Sequence, residues 1–172
     1  MVSDEAQLVA AVSTGDSRAF EVLVTRHLPA IEAYALRFMG DRSGAQDVTQ
    51  EVMLKLWQRA GDYDATKARV TTWLHRLAHN TAIDHLRRTA KYTDDSSLAE
   101  PEAAPENNQE SEAVKAALAH LPMYQRNALV LTYYQDLSNK EAAEIMGLGV
   151  RALESLLVRA RTTLRKQLEA DQ

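Results

Sequence analysis

Between residues 94 and 112 the chain carries seven acids and no Lys or Arg. The run, DDSSLAEPEAAPENNQESE, also holds two of the four prolines, has few large apolar groups and shows no apolar stripe at helical spacing. Such a segment cannot bury enough surface to offset the entropy of ordering it. Structureless loops of this length are uncommon inside one domain. It is therefore read as a flexible acidic linker, residues 93–112, joining units at 1–92 and 113–172; the alternative is a long loop within a single domain. The charge agrees with the division. The chain as a whole is at -4, yet residues 1–93 carry twelve bases against eleven acids and residues 113–172 carry eight against six.

Outside the linker the pattern is helical. Gly (6) and Pro (4) are scarce, and apolar residues recur at three- and four-residue spacing. Helices are expected over about 4–13, 18–39 (bent at Pro29), 45–59 and 70–89 in the first unit. The third has Val48, Val52, Leu56 and Trp57 on its apolar side, and GDRSGAQ before it reads as a turn. In the second unit they are expected over 111–121, 125–134, 139–146 and 150–168. Asp16 or Ser17 and Ser138 or Asn139 are candidate N-caps. The fold class is all-α: two small helical domains, the C-terminal one containing a helix-turn-helix. With no Cys, disulfides, thiolate metal sites and thiol redox sensing are excluded. No apolar run approaches the ~18 residues of a membrane span. The acidic start lacks a signal-peptide n-region. A cytoplasmic protein without membrane insertion of its own is expected.

Helix 139–146, the turn Gly147-Leu148-Gly149 and helix 150–168 have the grammar of a helix-turn-helix. Gly147 suits a left-handed terminating position, and Ala143 is small where the second helix must cross. Leu148, Val150, Leu153 and Leu157 are expected to face the core. Arg151, Ser155, Arg159 and Thr162 then share the opposite ridge. From Val150 to Lys166 five bases face one acid, Glu154. Arg pairs bidentately with guanine, Ser and Thr bond bases or phosphates, and Arg161, Arg165 and Lys166 would neutralise phosphates farther along. The competing reading is a helical hairpin with a solvated charged face.

A second basic stretch, residues 67–91, has six bases and one acid, Asp84. His75, His79, Asn80 and His85 lie on its helix and Tyr63 in the loop before it. Bases, amides and aromatics together suit a strand with exposed bases. His75 and His79 have metal-ligand spacing, but no third ligand is evident. No metal and no cofactor are expected, and Trp73 is read as core. No nucleophile motif, phosphate loop or carboxylate pair points to an enzyme.

Four segments together resemble the extracytoplasmic-function (ECF) sigma factors of bacterial RNA polymerase: AFEVLVTRHLPAIEAYALRFMGD, AQDVTQEVMLKLWQR, TTWLHRLAHNTAIDHLRR, and the stretch from ALAHLPMYQ to RTTLRK. The resemblance implies a docking face for core RNA polymerase at Asp47, Gln50, Glu51 and Leu54. It implies minus-ten recognition and melting by Tyr63, Arg76, His79, Asn80, Asp84, Arg87 and Arg88, with the loop at 61–69 capturing a flipped base. It implies minus-thirty-five recognition by Arg151, Ser155, Arg159, Thr162, Arg165 and Lys166. Glu154 and Leu156 depart from the basic residues many relatives carry. The implied partners are core RNA polymerase, promoter DNA and an anti-sigma factor. The alternative is an ordinary DNA-binding regulator, dimeric on a symmetric site.

Overall fold

The computed structural model describes residues 3–92 and 112–170. The linker expected at 93–112 thus lies, but for its last residue, outside the described residues. All regular elements among those described are helical.

Three acceptor side chains punctuate the first domain. Ser3 accepts from the Ala6 amide and starts α1, Asp4–Ser13. Asp16 accepts from the Arg18 and Ala19 amides and starts α2, Ser17–Met39. Gly40, in the left-handed region at φ 79°, ends α2, and Asp41 accepts from the Gly44 amide to start α3, Arg42–Arg59. Helix α2 runs through Pro29 as one element, as expected. One expectation changes here: helix α3 begins three residues earlier than expected, because the Asp41 cap draws the first part of GDRSGAQ into the helix. After a short 3-10 turn at Ala60–Asp62 the chain enters α4, Val70–Tyr92. Leu23, Ile31, Tyr34 and Phe38 of α2, Val48, Val52 and Leu56 of α3, and Leu74 and Ala78 of α4 are buried together.

The second domain comprises α5 (Glu112–Ala119), α6 (Met123–Leu129), α7 (Asn139–Met146) and α8 (Val150–Ala170). Helix α6 does not end at Leu129 but widens into a π turn over Val130–Tyr134. Leu153, Leu157 and Ala160 turn inward from α8 against Ala142, Ala143 and Ile145. Val150, expected in this core, is instead the first residue of α8 and is 40% exposed. Trp57 is likewise at the surface, at 39% exposure, with its edge on the Phe20 ring.

The two domains do not stand apart. Their apolar residues form one continuous cluster, with α6 and its π turn against α2 and α7 against α4. Polar groups complete the seam. Tyr34 donates to Asn127 Oδ1 at 2.9 Å, and Asn127 Nδ2 donates to His79 Nδ1 at 2.8 Å. Arg126 Nη1 donates to the Phe38 carbonyl at 3.3 Å, and the Arg37 guanidinium lies 4.1 Å over the Tyr134 ring. Arg69 and Thr72, at the entrance of α4, both bond Glu141 of α7. His75 Nδ1 donates to the Thr71 carbonyl at 2.7 Å, while Nε2 sits 2.9 Å from Gln135 Oε1. Two acceptors would require a charged ring. Burial lowers the His75 pKa, which favours a neutral ring accepting from a turned Gln135 amide.

Candidate nucleic-acid interface

Ser138 and Glu141 set up the helix-turn-helix. The Ser138 hydroxyl accepts from the Glu141 amide at 3.1 Å, and Glu141 accepts from the Ser138 amide at 2.9 Å, a complete capping box. Gly147, at φ 68°, ends α7, and the Leu148 amide closes back on the Ala143 carbonyl at 2.9 Å. This turn fixes the direction of α8. With the Leu153–Leu157–Ala160 stripe buried, Arg151, Ser155, Arg159, Thr162, Arg165 and Lys166 all lie exposed on the outer side. The ion pairs formed among the described residues use none of these bases. The Thr162 hydroxyl donates to its own helix, at the Val158 carbonyl, 2.9 Å away. Sequence reasoning missed Val158, which is 61% exposed in the middle of this ridge. It continues the Arg151–Ser155 row at helical spacing and offers an apolar contact of the kind that meets thymine methyl groups.

On α4, Arg76, Asn80, Asp84 and Arg87 follow at spacings of four, four and three, and so share a face. Asn80, Asp84, Arg87 and Arg88 are exposed and Arg76 is half-buried. His79 is elsewhere. It is 7% exposed and sealed beneath Asn127, and burial brings its pKa down to about 4. Its ring is neutral and accepts from Asn127, so in this arrangement it presents nothing to a nucleic acid. The physical reason is its phase on α4, which puts it beside His75 on the seam rather than beside Asn80. No cluster of potential metal ligands occurs among the described residues.

Tyr63 is half-buried. Its hydroxyl donates to the Ala68 carbonyl at 2.9 Å and its ring lies 5.3 Å from Trp73. Behind it the loop encloses a cleft of 660 Å³ with the start of α1, lined by Glu5, Tyr63, Thr66, Arg69 and Thr71 among others. Asp64 holds the loop's turn by accepting from the Thr66 hydroxyl at 2.6 Å and its amide at 2.9 Å.

Asp47, Gln50 and Leu54 are exposed on α3, with Glu51 partly so. Trp57 falls on the same face by spacing, so a residue expected in the core instead extends this surface. Glu51 is 3.4 Å from Lys55 and 3.7 Å from Arg88 of α4. A groove of 460 Å³ between the helices is lined by Asp47, Glu51, His85, Arg88 and Thr89. The acidic face of α3 and the basic end of α4 are therefore neighbours.

Residues 23–92 match the family model of Sigma-70 region 2, and residues 111–164 that of Sigma-70 region 4. The chain is 32% identical to the RNA polymerase sigma-H factor of Pseudomonas aeruginosa, covering 95% of this chain and 93% of that one. It is 34% identical to the ECF RNA polymerase sigma factor SigM of Mycobacterium tuberculosis, over 95% and 84%. Among solved structures it is similar to CnrH in complex with the cytosolic domain of CnrY (TM-score 0.74, 30% identity, 99% of this chain and 100% of that one). It is also similar to the sigma factor RpoE in complex with the anti-sigma factor NepR from Bartonella quintana (TM-score 0.77, 25% identity, 89% and 98%). A region-2 domain followed by a region-4 domain, with full-length likeness to these proteins, places the chain in one family: it belongs to the ECF sigma factors of RNA polymerase.

Proposed function

We propose that the chain works as a promoter-specificity subunit with three working surfaces. The exposed α3 face, Asp47, Gln50, Glu51 and Leu54 with Trp57 added, docks on core RNA polymerase. The α4 face, Asn80, Asp84, Arg87 and Arg88 with Arg76, meets the minus-ten strand, and the cleft behind Tyr63 receives an extruded base. The α8 ridge enters the major groove at the minus-thirty-five element. The observation that carries this reading is the pairing of two open basic helix faces, one on each domain, with a separate acidic-apolar face beside the first. A dimeric regulator needs only the second basic face.

No described helix is long and apolar enough to cross a membrane, and the chain would act where core polymerase resides, in the cytoplasm. It contributes binding and strand selection rather than bond chemistry. Because the similar CnrH and RpoE were each solved with a partner, CnrY and the anti-sigma factor NepR respectively, a dedicated anti-sigma factor is the expected inhibitor. With no Cys in the chain, a thiol signal would have to be sensed by that inhibitor.

Two variants and one mixture test the assignment. The purified chain should co-elute stoichiometrically with bacterial core RNA polymerase; failure to associate would sink it. Asp47→Ala with Glu51→Ala should weaken that association about tenfold or more, as expected for losing charged contacts at an interface. Arg151→Ala with Arg159→Ala should leave association intact and cut promoter-directed transcription at least tenfold, since each base contact is worth about 1–3 kcal/mol. Unimpaired transcription would remove the α8 ridge from the interface.

A further inference from the structure

The cleft behind Tyr63 has a wall that none of the three working surfaces uses. Ser3, Asp4 and Glu5, at the start of α1, line it together with Tyr63, Thr66 and Arg69. Given the function proposed above, on which this inference rests, the chemistry of that wall bears on which base the cleft accepts.

Glu5 is held from the side of α2. His27, 8% exposed, donates from Nε2 to Glu5 Oε1 at 2.7 Å. A carboxylate oxygen only accepts, so Nε2 carries the proton. Arg26 Nη1 stands 3.9 Å from the same oxygen and 3.0 Å from Asp4 Oδ2. Glu5 Oε2 enters no hydrogen bond or ion pair among the described residues. Tyr63 is near enough to feel the charge: burial first, then Glu5 and Asp64, raise the pKa of its hydroxyl. Several donors that line the cleft are already engaged. Tyr63 donates to the Ala68 carbonyl, Thr66 to Asp64, and Arg69 turns Nε and Nη2 to Glu141 Oε1 at 2.8 and 2.7 Å. Glu5 Oε2 therefore stands as an unshared acceptor.

An extruded base is read along its Watson–Crick edge. Cytosine, adenine and guanine each carry an amino group there, and a carboxylate accepts from such a group as it does from cytosine N4. Thymine has none. Its single N–H lies between two carbonyl oxygens, and a carboxylate approaching that edge meets one of them. Two acceptors brought together leave each other desolvated and unpaired. We propose that Glu5 is a specificity-determining residue: the cleft takes an extruded base that offers an amino group and rejects thymine, with His27 as the positioning residue that leaves Oε2 to the base.

The test uses the full chain with core RNA polymerase on a duplex library in which the minus-thirty-five and minus-ten tracts are both randomised, with transcribed templates read by sequencing. The unaltered chain should deplete thymine about tenfold at one minus-ten position, the scale of one mismatched base pair. Glu5→Gln keeps the size of the side chain. Its amide oxygen can accept from His27, which turns the amide N–H2 toward the cleft, so the preference at that one position should reverse in favour of thymine. Glu5→Ala should flatten it instead. Both variants should keep their helical signal and the pattern at every other position. The proposal is overturned if the unaltered chain tolerates thymine throughout the minus-ten tract, if Glu5→Gln leaves the depletion in place, or if both variants weaken all positions alike. A chain that does not associate with core polymerase at all would sink the functional reading instead.

Discussion

Asn127→Ala tests the middle of the seam, and its cost can be worked from the contacts. Asn127 is 1% exposed and bonds two groups of the other domain, the Tyr34 hydroxyl at 2.9 Å and His79 Nδ1 at 2.8 Å. Truncation strands both. A buried polar group left unpaired costs about 1–3 kcal/mol, so two give about 4 kcal/mol at mid-range. The Tyr34 hydroxyl already lies 3.4 Å from His79 Nδ1. Once Asn127 is gone the two can close up, recovering about 1 kcal/mol. The net expectation is a loss of about 3 kcal/mol in urea unfolding at neutral pH, followed by far-ultraviolet dichroism. Tyr34→Phe alone leaves only the Asn127 acceptor unpaired and should cost about 1–2 kcal/mol. Combined with Asn127→Ala it removes one of the stranded groups. The double variant should therefore be more stable than the sum of the singles predicts, by at least about 1 kcal/mol. Strict additivity, or a loss under about 0.5 kcal/mol for Asn127→Ala, would show that this network does not hold the domains together.

Two further outcomes follow from the same geometry. His79 is held neutral, its pKa lowered from 6.5 to about 4 by burial; its contribution is complete above about pH 6.5 and is lost as pH falls through about 4. Up to about 3 kcal/mol should disappear across that window, with His75, lowered by burial as well, acting in the same direction. Glu141, at about 2, should still contribute at pH 5. A urea midpoint that is flat between pH 7 and pH 5 would refute this. Gly147→Ala meets open space but must adopt φ 68°, so only backbone strain opposes it. A loss of about 1–2 kcal/mol is expected in thermal melts, against little change for Gly149→Ala, where φ is not positive and the space is also open.

Much of the fold was legible because helix caps and apolar spacing are local signals. Asp16, Ser138 and Gly147 act as the residues suggest, and α1 and α7 have the expected bounds. The Asp41 cap was missed because its partner, Gly44, looks like a turn residue. Trp57 and Val158 were misjudged or overlooked for a shared reason. Spacing places a residue on a side of its helix, but only the neighbouring helix decides how wide the buried stripe is. The exposed faces of α3, α4 and α8 were readable as charge on a helical period. The seam was not. His79 looked like a nucleic-acid residue because basic and amide neighbours surround it in sequence; its actual partner is 48 positions away. The capping box SNKE could be recognised locally, yet nothing in it announces that Glu141 also serves Arg69.

The π turn at Val130–Tyr134 gives that seam an unusual basis. Asn127 meets His79 and Gln135 meets His75, so both face the same side of α4. Eight residues apart on an uninterrupted α-helix, at 3.6 residues per turn, they would point about 80° away from each other. One surplus residue, taken up where the Gln135 amide reaches back five positions to the Val130 carbonyl at 3.1 Å, brings them to within about 20°. The seam thus depends on helical phase as well as on side-chain identity. Deleting a single codon inside this turn would leave both amides in the gene and every DNA-facing residue intact, yet put the two halves of the seam out of step.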